Sequence, residues 1–186
     1  KTIIICSNYA WTIYNFRMAL IRRLKSEGYR VIILTQFDGY ENAIGEEVDE
    51  IKSLFISRKG VNPFVDIFTI FHFTKHLLTF KPDVLLSFSI KPVIYGSIAA
   101  KITNVRSIVM ITGLGTVFIK ENFLTYFVLF LYKIAFKGVF HIFFQNKDDR
   151  KIFINQKIVS SSNFSLIPGS GVDLKKFNYQ EYKKNK

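Results

Sequence analysis

Short, almost unbroken apolar runs alternate along this chain with longer stretches of helical periodicity. "TIIIC" (2–6) is a β-branched run that reads as a buried strand. A helix follows from about Tyr14. On it Ile13, Phe16, Leu20 and Leu24 make one apolar stripe, Arg22, Arg23 and Lys25 face water, and Gly28 is the C-terminal cap. "VIILT" (31–35) and "IKSLFIS" (51–57) are the second and third strands. Asn62-Pro63 opens a long helix to about Phe80, proline being tolerated in a first turn. "PDVLLSFS" (82–89) is a turn and a fourth strand, and "KPVIYGSIAAKI" (91–102) a helix that starts at its proline. "SIVMI" (107–111) is the fifth strand, and a helix spans about 121–136. "VFHIFF" (139–144), "NKDDRKIFINQ" (146–156) and "FSLIP" (164–168) close the series as strand, helix and strand, with no internal repeat.

Such alternation predicts an α/β fold: a doubly wound parallel sheet of about seven strands with helices on both faces. Because crossovers are right-handed, every strand-to-helix loop falls at the carboxyl edge of the sheet, where open α/β folds bind ligands. Those loops are 7–14, 36–40, 57–62, 89–91, 112–120 and 145–147.

Composition narrows the classes. With 186 residues, 49% of them hydrophobic and 16% aromatic, the chain can bury a real core and is not disordered. Lys and Arg outnumber Asp and Glu by 26 to 14, a formal charge of +12 that favours an anionic partner: a nucleotide, nucleic acid or an acidic membrane face. The single cysteine, Cys6, lies in an apolar strand and reads as core, excluding an intrachain disulfide framework. The longest charge-free runs, 2–16 and 158–172, are interrupted by polar residues and fall short of the ~20 apolar residues of a spanning helix.

Candidate chemistry gathers at the carboxyl edge. "ITGLGTVF" (111–118) puts Gly113 and Gly115 in the loop after the fifth strand, where bare backbone suits either a turn or a close approach to a ligand. It is not the dinucleotide fingerprint, since the loop after the first strand, beginning at Ser7, holds no glycine. Arg17, in the first turns of the first helix, is placed to clamp a phosphate, and Lys91 is placed to pair with a diphosphate, with Tyr95 one turn on to stack on a sugar. Asn146 reads as an N-cap at a helix end that also attracts anions. His72 and His76 have zinc-compatible spacing without an evident third ligand, so no metal is expected. Glu46, Glu47, Asp49 and Glu50 read as a solvated charge run that offers no partner carboxylate.

On the helix over 121–137, Phe123, Phe127, Phe130, Leu131 and Ile134 fall on a face expected to pack on the sheet. Asn122, Thr125, Tyr126, Tyr132, Lys133 and Lys137 fall on the other. Leu129 and Phe136 lie among those polar residues. With Lys133 and Lys137 they predict either a membrane-facing surface or a contact with another domain or a dimer partner.

Five segments, "SRKGVNPFVDI" (57–67), "SIKPVIYGSIAAKI" (89–102), "ITGLGTVF", "FFQNKDDRKIF" (143–153) and "IPGSGVDLKKF" (167–177), together resemble the amino-terminal half of glycosyltransferase family 4 enzymes. The resemblance covers nearly the whole chain. It is nearest to bacterial enzymes that build capsule, lipopolysaccharide O-antigen or N-glycan precursors on a lipid carrier. It implies a retaining, hexosyltransferase-type enzyme of the GT-B fold with a nucleotide-sugar donor, UDP-linked, and neither metal nor other cofactor. The first domain mostly holds the acceptor and the second most of the donor. Substrate-binding positions are then Ser7, Arg17, Lys91 (the family's Lys-Pro position), Tyr95, Thr112, Gly113, Gly115 and Asn146. Thr112 stands where many members have a histidine, so no catalytic residue is assigned.

Residues 1–168 would form the acceptor domain. Residues 169–186, with Gly169 and Gly171 as hinge, would lead to a donor domain or a partner chain. By itself this half is expected to be inactive. Its expected place is the cytoplasmic side, held to the inner face of the plasma membrane, with a lipid-linked saccharide as acceptor. A non-catalytic membrane-docked subunit of a split transferase is the alternative. A basic nucleic-acid-binding domain ranks last, because the lysines are spread along the chain and no recognition motif is present.

Overall fold

The first apolar run becomes an eight-residue strand, β1 (Thr2–Tyr9), whose middle five residues are wholly buried. Two short helices follow, α1 (Ala10–Phe16) and α2 (Met18–Ser26), then β2 (Arg30–Gln36), α3 (Glu41–Gly45) and β3 (Glu50–Ser53). The second half comprises α4 (Pro63–Phe80), β4 (Val84–Phe88), a π-helical turn (Pro92–Gly96) running into α5 (Ser97–Ile102), and β5 (Arg106–Ile111). After it come α6 (Phe123–Ala135) with a 3-10 turn (Phe136–Gly138), β6 (Val139–Phe144), α7 (Lys147–Asn155) and β7 (Phe164–Leu166). This computed structural model describes residues 1–57, 62–115, 118, 123–159, 163–172 and 174. The loop at 58–61, the later part of the glycine loop, Asn122 and most of the segment after Val172 lie outside the described residues.

All seven strands are parallel, in the order β3-β2-β1-β4-β5-β6-β7. The order reverses between β1 and β4, which makes the carboxyl ends of those two strands the topological switch point. Two hydrophobic clusters flank the sheet. One joins Ile3, Ile5, Val31 and Ile33 to Ile13, Met18 and Ile21 of α1 and α2. The larger joins Ile4, Leu34, Leu85, Val109 and Phe144 to Phe73, Val93, Tyr132 and Phe153 of the later helices. The sheet is thus covered on both faces, as alternating strand and helix periodicity requires.

Four local readings change. The first helix begins at Ala10 and breaks at Arg17, where φ is −125°. The break shifts the helical phase, so Ile13, Met18 and Ile21 are buried while Phe16 stands exposed. The third strand stops at Ser53: Leu54 still donates to the Thr35 carbonyl, but β2 ends one residue later at Gln36. The acidic run is partnered. Arg22 forks onto Glu47, Lys25 holds Asp49, and Arg30 pairs with Glu50.

The last change reverses a face. On α6 the buried residues are Thr125, Val128, Leu129, Tyr132 and Ala135, followed by Phe136, whereas Phe123, Tyr126, Phe130 and Ile134 point outward. Leu129 and Phe136 therefore belong to the core and are not membrane-facing, while Lys133 and Lys137 remain exposed. The physical reason is ring packing: Tyr132 meets Phe136 and Phe153 edge-on at 5.3 and 4.9 Å. That cluster decides the orientation on a helix whose apolar residues surround it.

Candidate active site

The first feature at the switch point is a serine bridge across it. Ser7, at the end of β1, is fully buried with Oγ 3.0 Å from Oγ of Ser89, just beyond β4. Ser89 has φ +70°, an uncommon conformation for a residue with a side chain and of a kind concentrated at functional sites.

Beside this bridge lies Arg17. The break between α1 and α2 swings its side chain inward until only 5% of the residue is exposed. Its guanidinium carbon sits 4.1 Å from the centre of the Phe88 ring, and Nη1 donates to the Phe16 carbonyl at 3.1 Å. Among the described residues Nε has no hydrogen-bond partner, and nor has the buried Oδ1 of Asn8 at the end of β1. Burial lowers the arginine pKa to about 10, which leaves it charged at neutral pH. A buried cation without a counter-charge is costly, and the cost falls when an anion binds it.

The glycine loop borders the same region. Thr112 is exposed, Leu114 is buried and pins the loop, and Gly113 and Gly115 have φ +146° and +68°. A Cβ on Gly113 would meet nothing within 4 Å, and one on Gly115 would touch only Ile90 at 3.4 Å. Glycine is needed here for backbone conformation rather than for space inside the protein. Ser89, Thr112 and Gly113 line one narrow depression with Met110 and Ile90.

Lys91 and Tyr95 turn away from this edge. Lys91 Nζ donates to Asp66 Oδ1 of α4 at 3.1 Å, with both side chains largely buried. Tyr95 is only 4% exposed, and burial followed by the nearby Asp66 carboxylate drives its phenol far above the ordinary range. The lysine charge is therefore neutralised within the protein, and the tyrosine ring is packing rather than a sugar platform. A groove of about 890 Å³ lies at the opposite, amino edge between Lys1, Asp83 and Arg106, where no strand-to-helix loop reaches.

The sequence matches the family described as Glycosyl transferase 4-like over residues 3–146. This chain belongs to the glycosyl transferase 4-like family. Among curated proteins it is similar to N,N'-diacetylbacillosaminyl-diphospho-undecaprenol alpha-1,3-N-acetylgalactosaminyltransferase of Campylobacter jejuni, at 28% identity over 171 residues. That alignment takes in 89% of this chain and 45% of the relative, so the chain spans about half of that protein's length. Two solved structures show the fold. A glycosyltransferase from Rickettsia africae superposes with a TM-score of 0.68 at 18% identity, over 95% of this chain and 45% of that one. A UDP-GlcNAc 2-epimerase from Neisseria meningitidis superposes with 0.63 at 14% identity, over 89% and 45%. The fold is thus one that a transferase and an epimerase share over about half of their own length, and it is the family match that separates them.

Within this glycosyl transferase 4-like domain the remaining candidates lie farther along the edge. Asn146 caps α7: its Oδ1 accepts from the Asp149 amide at 2.7 Å and its Nδ2 donates to the Asp149 carboxylate. Gly169 and Gly171 follow β7 with φ +91° and +72°. Gln145, not singled out from sequence, donates to Ser170 Oγ at 2.7 Å and ties that segment to the edge. Trp11 is likewise not singled out by the sequence, and Phe16 reads there as part of the buried stripe. They form an exposed edge-to-face pair, 5.7 Å between centres, with the Trp11 amide held by Asp38. An aromatic-rich loop after the first strand was their available signal. His72 Nδ1 accepts from the Phe55 amide, and among the described residues no three potential metal ligands come together.

Proposed function

We propose that this chain is the acceptor-binding half of a retaining glycosyltransferase that moves a sugar from a UDP-linked donor onto a lipid-linked saccharide. In this reading it acts at the inner face of the plasma membrane, in assembly of capsule, lipopolysaccharide or a related glycan. The observation that carries the reading is Arg17: buried, charged, without a carboxylate partner among the described residues, and set at the switch point. A diphosphate linking saccharide to lipid is the anion it suits, since guanidinium binds phosphate oxygens in pairs. Ser7 and Ser89 supply hydroxyls beside it, and the backbone at Gly113 and Gly115 approaches without side chains in the way. Trp11 and Phe16 offer exposed ring faces on which a sugar can stack. The Campylobacter relative's named substrate, a saccharide on diphospho-undecaprenol, has this chemistry.

Residues 1–168 form the acceptor domain in this reading, and 169–186 lead through Gly169 and Gly171 to a donor-binding domain. Transfer needs both substrates held in reacting geometry, so the half alone binds but does not transfer. The test is Arg17→Met in the complete enzyme. Loss of charge-assisted phosphate bonds worth about 2–3 kcal/mol should lower kcat/KM for the lipid-linked acceptor roughly 30- to 150-fold. Unchanged kcat/KM would refute the assignment.

A further inference from the structure

The α4–α6 side of the molecule carries more apolar surface than a helix-covered sheet requires. On α4, Phe73 and Leu77 face the core, yet Phe64, Ile67, Phe68 and Phe71 form an outward stripe, with Phe64 85% exposed and Phe71 63%. On α6, Phe123 is 86% and Phe130 57% exposed. Between the two helices runs a cleft of about 160 Å³ whose walls include Ile67, Ile70, Ile98, Phe127 and Leu131. A helix apolar around its whole circumference is normally covered, and a contiguous exposed aromatic patch of this kind marks an interaction surface.

Charge selects the occupant. The opposite face carries carboxylates, several of them ion-paired, as in Arg22–Glu47, Lys25–Asp49 and Arg30–Glu50. On α4, α5, α6 and the 3-10 turn the only carboxylate is Asp66, which is buried against Lys91. The exposed charges there are Lys75, Lys101, Lys133 and Lys137, none of which has a carboxylate partner among the described residues. Exposed aromatic and aliphatic groups together with lysines of one sign fit an anionic bilayer surface, with rings in the acyl boundary and lysines reaching the head groups.

We infer that the outward faces of α4 and α6 dock this chain on an anionic lipid bilayer. Both helices begin at the carboxyl edge of the sheet, and the exposed rings are concentrated in their first turns. The bilayer therefore lies beside the edge that holds Arg17 and the glycine loop. This deepens the reading above and rests on it: a lipid-linked diphosphate at the membrane surface reaches the switch point without leaving the bilayer.

Flotation of the chain with vesicles of phosphatidylglycerol and phosphatidylethanolamine, and with vesicles of phosphatidylcholine alone, tests this. The chain should float with the anionic vesicles, less so as salt is raised. Phe64→Ser, Phe71→Ser and Phe130→Ser combined should raise the lipid concentration for half-binding at least about tenfold. Lys133→Glu with Lys137→Glu, which touches no core residue, should weaken binding comparably at low salt. Phe140→Ser should bind like wild type, since Phe140 is equally exposed at 57% but lines the groove at the amino edge. Absence of binding to anionic vesicles, or binding unaltered by both sets of changes, would overturn the inference. So would a dimer that the serine changes convert to monomer without any effect on lipid, which would give the face to a second copy. The assay contains no sugar nucleotide or acceptor, so its outcome is independent of whether the transferase reading survives.

Discussion

Arg17 shows how far a single residue can be read in advance. Its position at the carboxyl edge follows from counting residues after an apolar strand, and the phosphate-binding role proposed for it from side-chain chemistry. Its burial does not follow, because it depends on a break in a helix that the apolar spacing does not announce. Lys91 fails for the complementary reason: Asp66, 25 residues earlier, takes its charge, and no local pattern reveals that partner. Gly115 was legible as a turn or an approach point, and its φ of +68° now permits a quantitative test. Gly115→Ala should cost about 1 kcal/mol, a fall in Tm of roughly 2–4 °C. Activity per folded molecule in the complete enzyme should fall by more than that loss explains, and equal activity per folded molecule would reduce the loop to a plain turn.

His76 belongs to the same scale. Burial first, then the neighbouring His72 and Lys75, lower its pKa to about 4 from an ordinary value near 6.5. The unfolded chain therefore binds the proton more readily, so the contribution of His76 to stability is present above about pH 6.5 and is lost as pH falls toward 4. Thermal melts at pH 7.5 and 5 should differ less in His76→Gln than in wild type, by about 1 kcal/mol after allowance for solvent screening of a partly buried ring. Identical pH dependence in the two proteins would contradict it.

Elements were more legible than the faces they present. All seven strands and the connecting helices other than α3 (Glu41–Gly45) follow from periodicity, because continuous β-branched runs bounded by turn residues leave few other options. The buried face of α6 does not follow, since phenylalanine and leucine occupy nearly every side of it and its orientation is settled by Tyr132 meeting Phe136 and Phe153. Leu129→Ser or Phe136→Ser should accordingly behave as core mutations. A loss of about 2–4 kcal/mol, read as a shift of the urea midpoint, is expected. Wild-type stability with altered lipid binding would restore the discarded orientation. α4 is the converse case. Its boundaries are given by Asn62, whose Oδ1 caps the Phe64 amide, and by Pro63, yet nothing local says that Phe64 and Phe71 stay outside.

At the scale of the whole molecule the sheet order β3-β2-β1-β4-β5-β6-β7 turns scattered loop residues into one site, joining Ser7 to Ser89 and Arg17 to Phe88 across the reversal. It also puts the exposed rings of α4 and α6 beside that site. The proposed function divides the labour of transfer: the acceptor diphosphate on this chain, the donor nucleotide mainly on a separate domain. Titration calorimetry of the chain tests that division directly. One titrant is a short-chain prenyl diphosphate bearing one N-acetylated sugar, the other a UDP-sugar, and each is run against wild type and Arg17→Met. Wild type should bind the prenyl-diphosphate sugar more tightly than the UDP-sugar, and Arg17→Met should weaken that binding at least about tenfold with no loss of Tm, because it removes a desolvated charge. Tighter binding of the UDP-sugar, or equal affinity of wild type and Arg17→Met for the prenyl diphosphate, would contradict it.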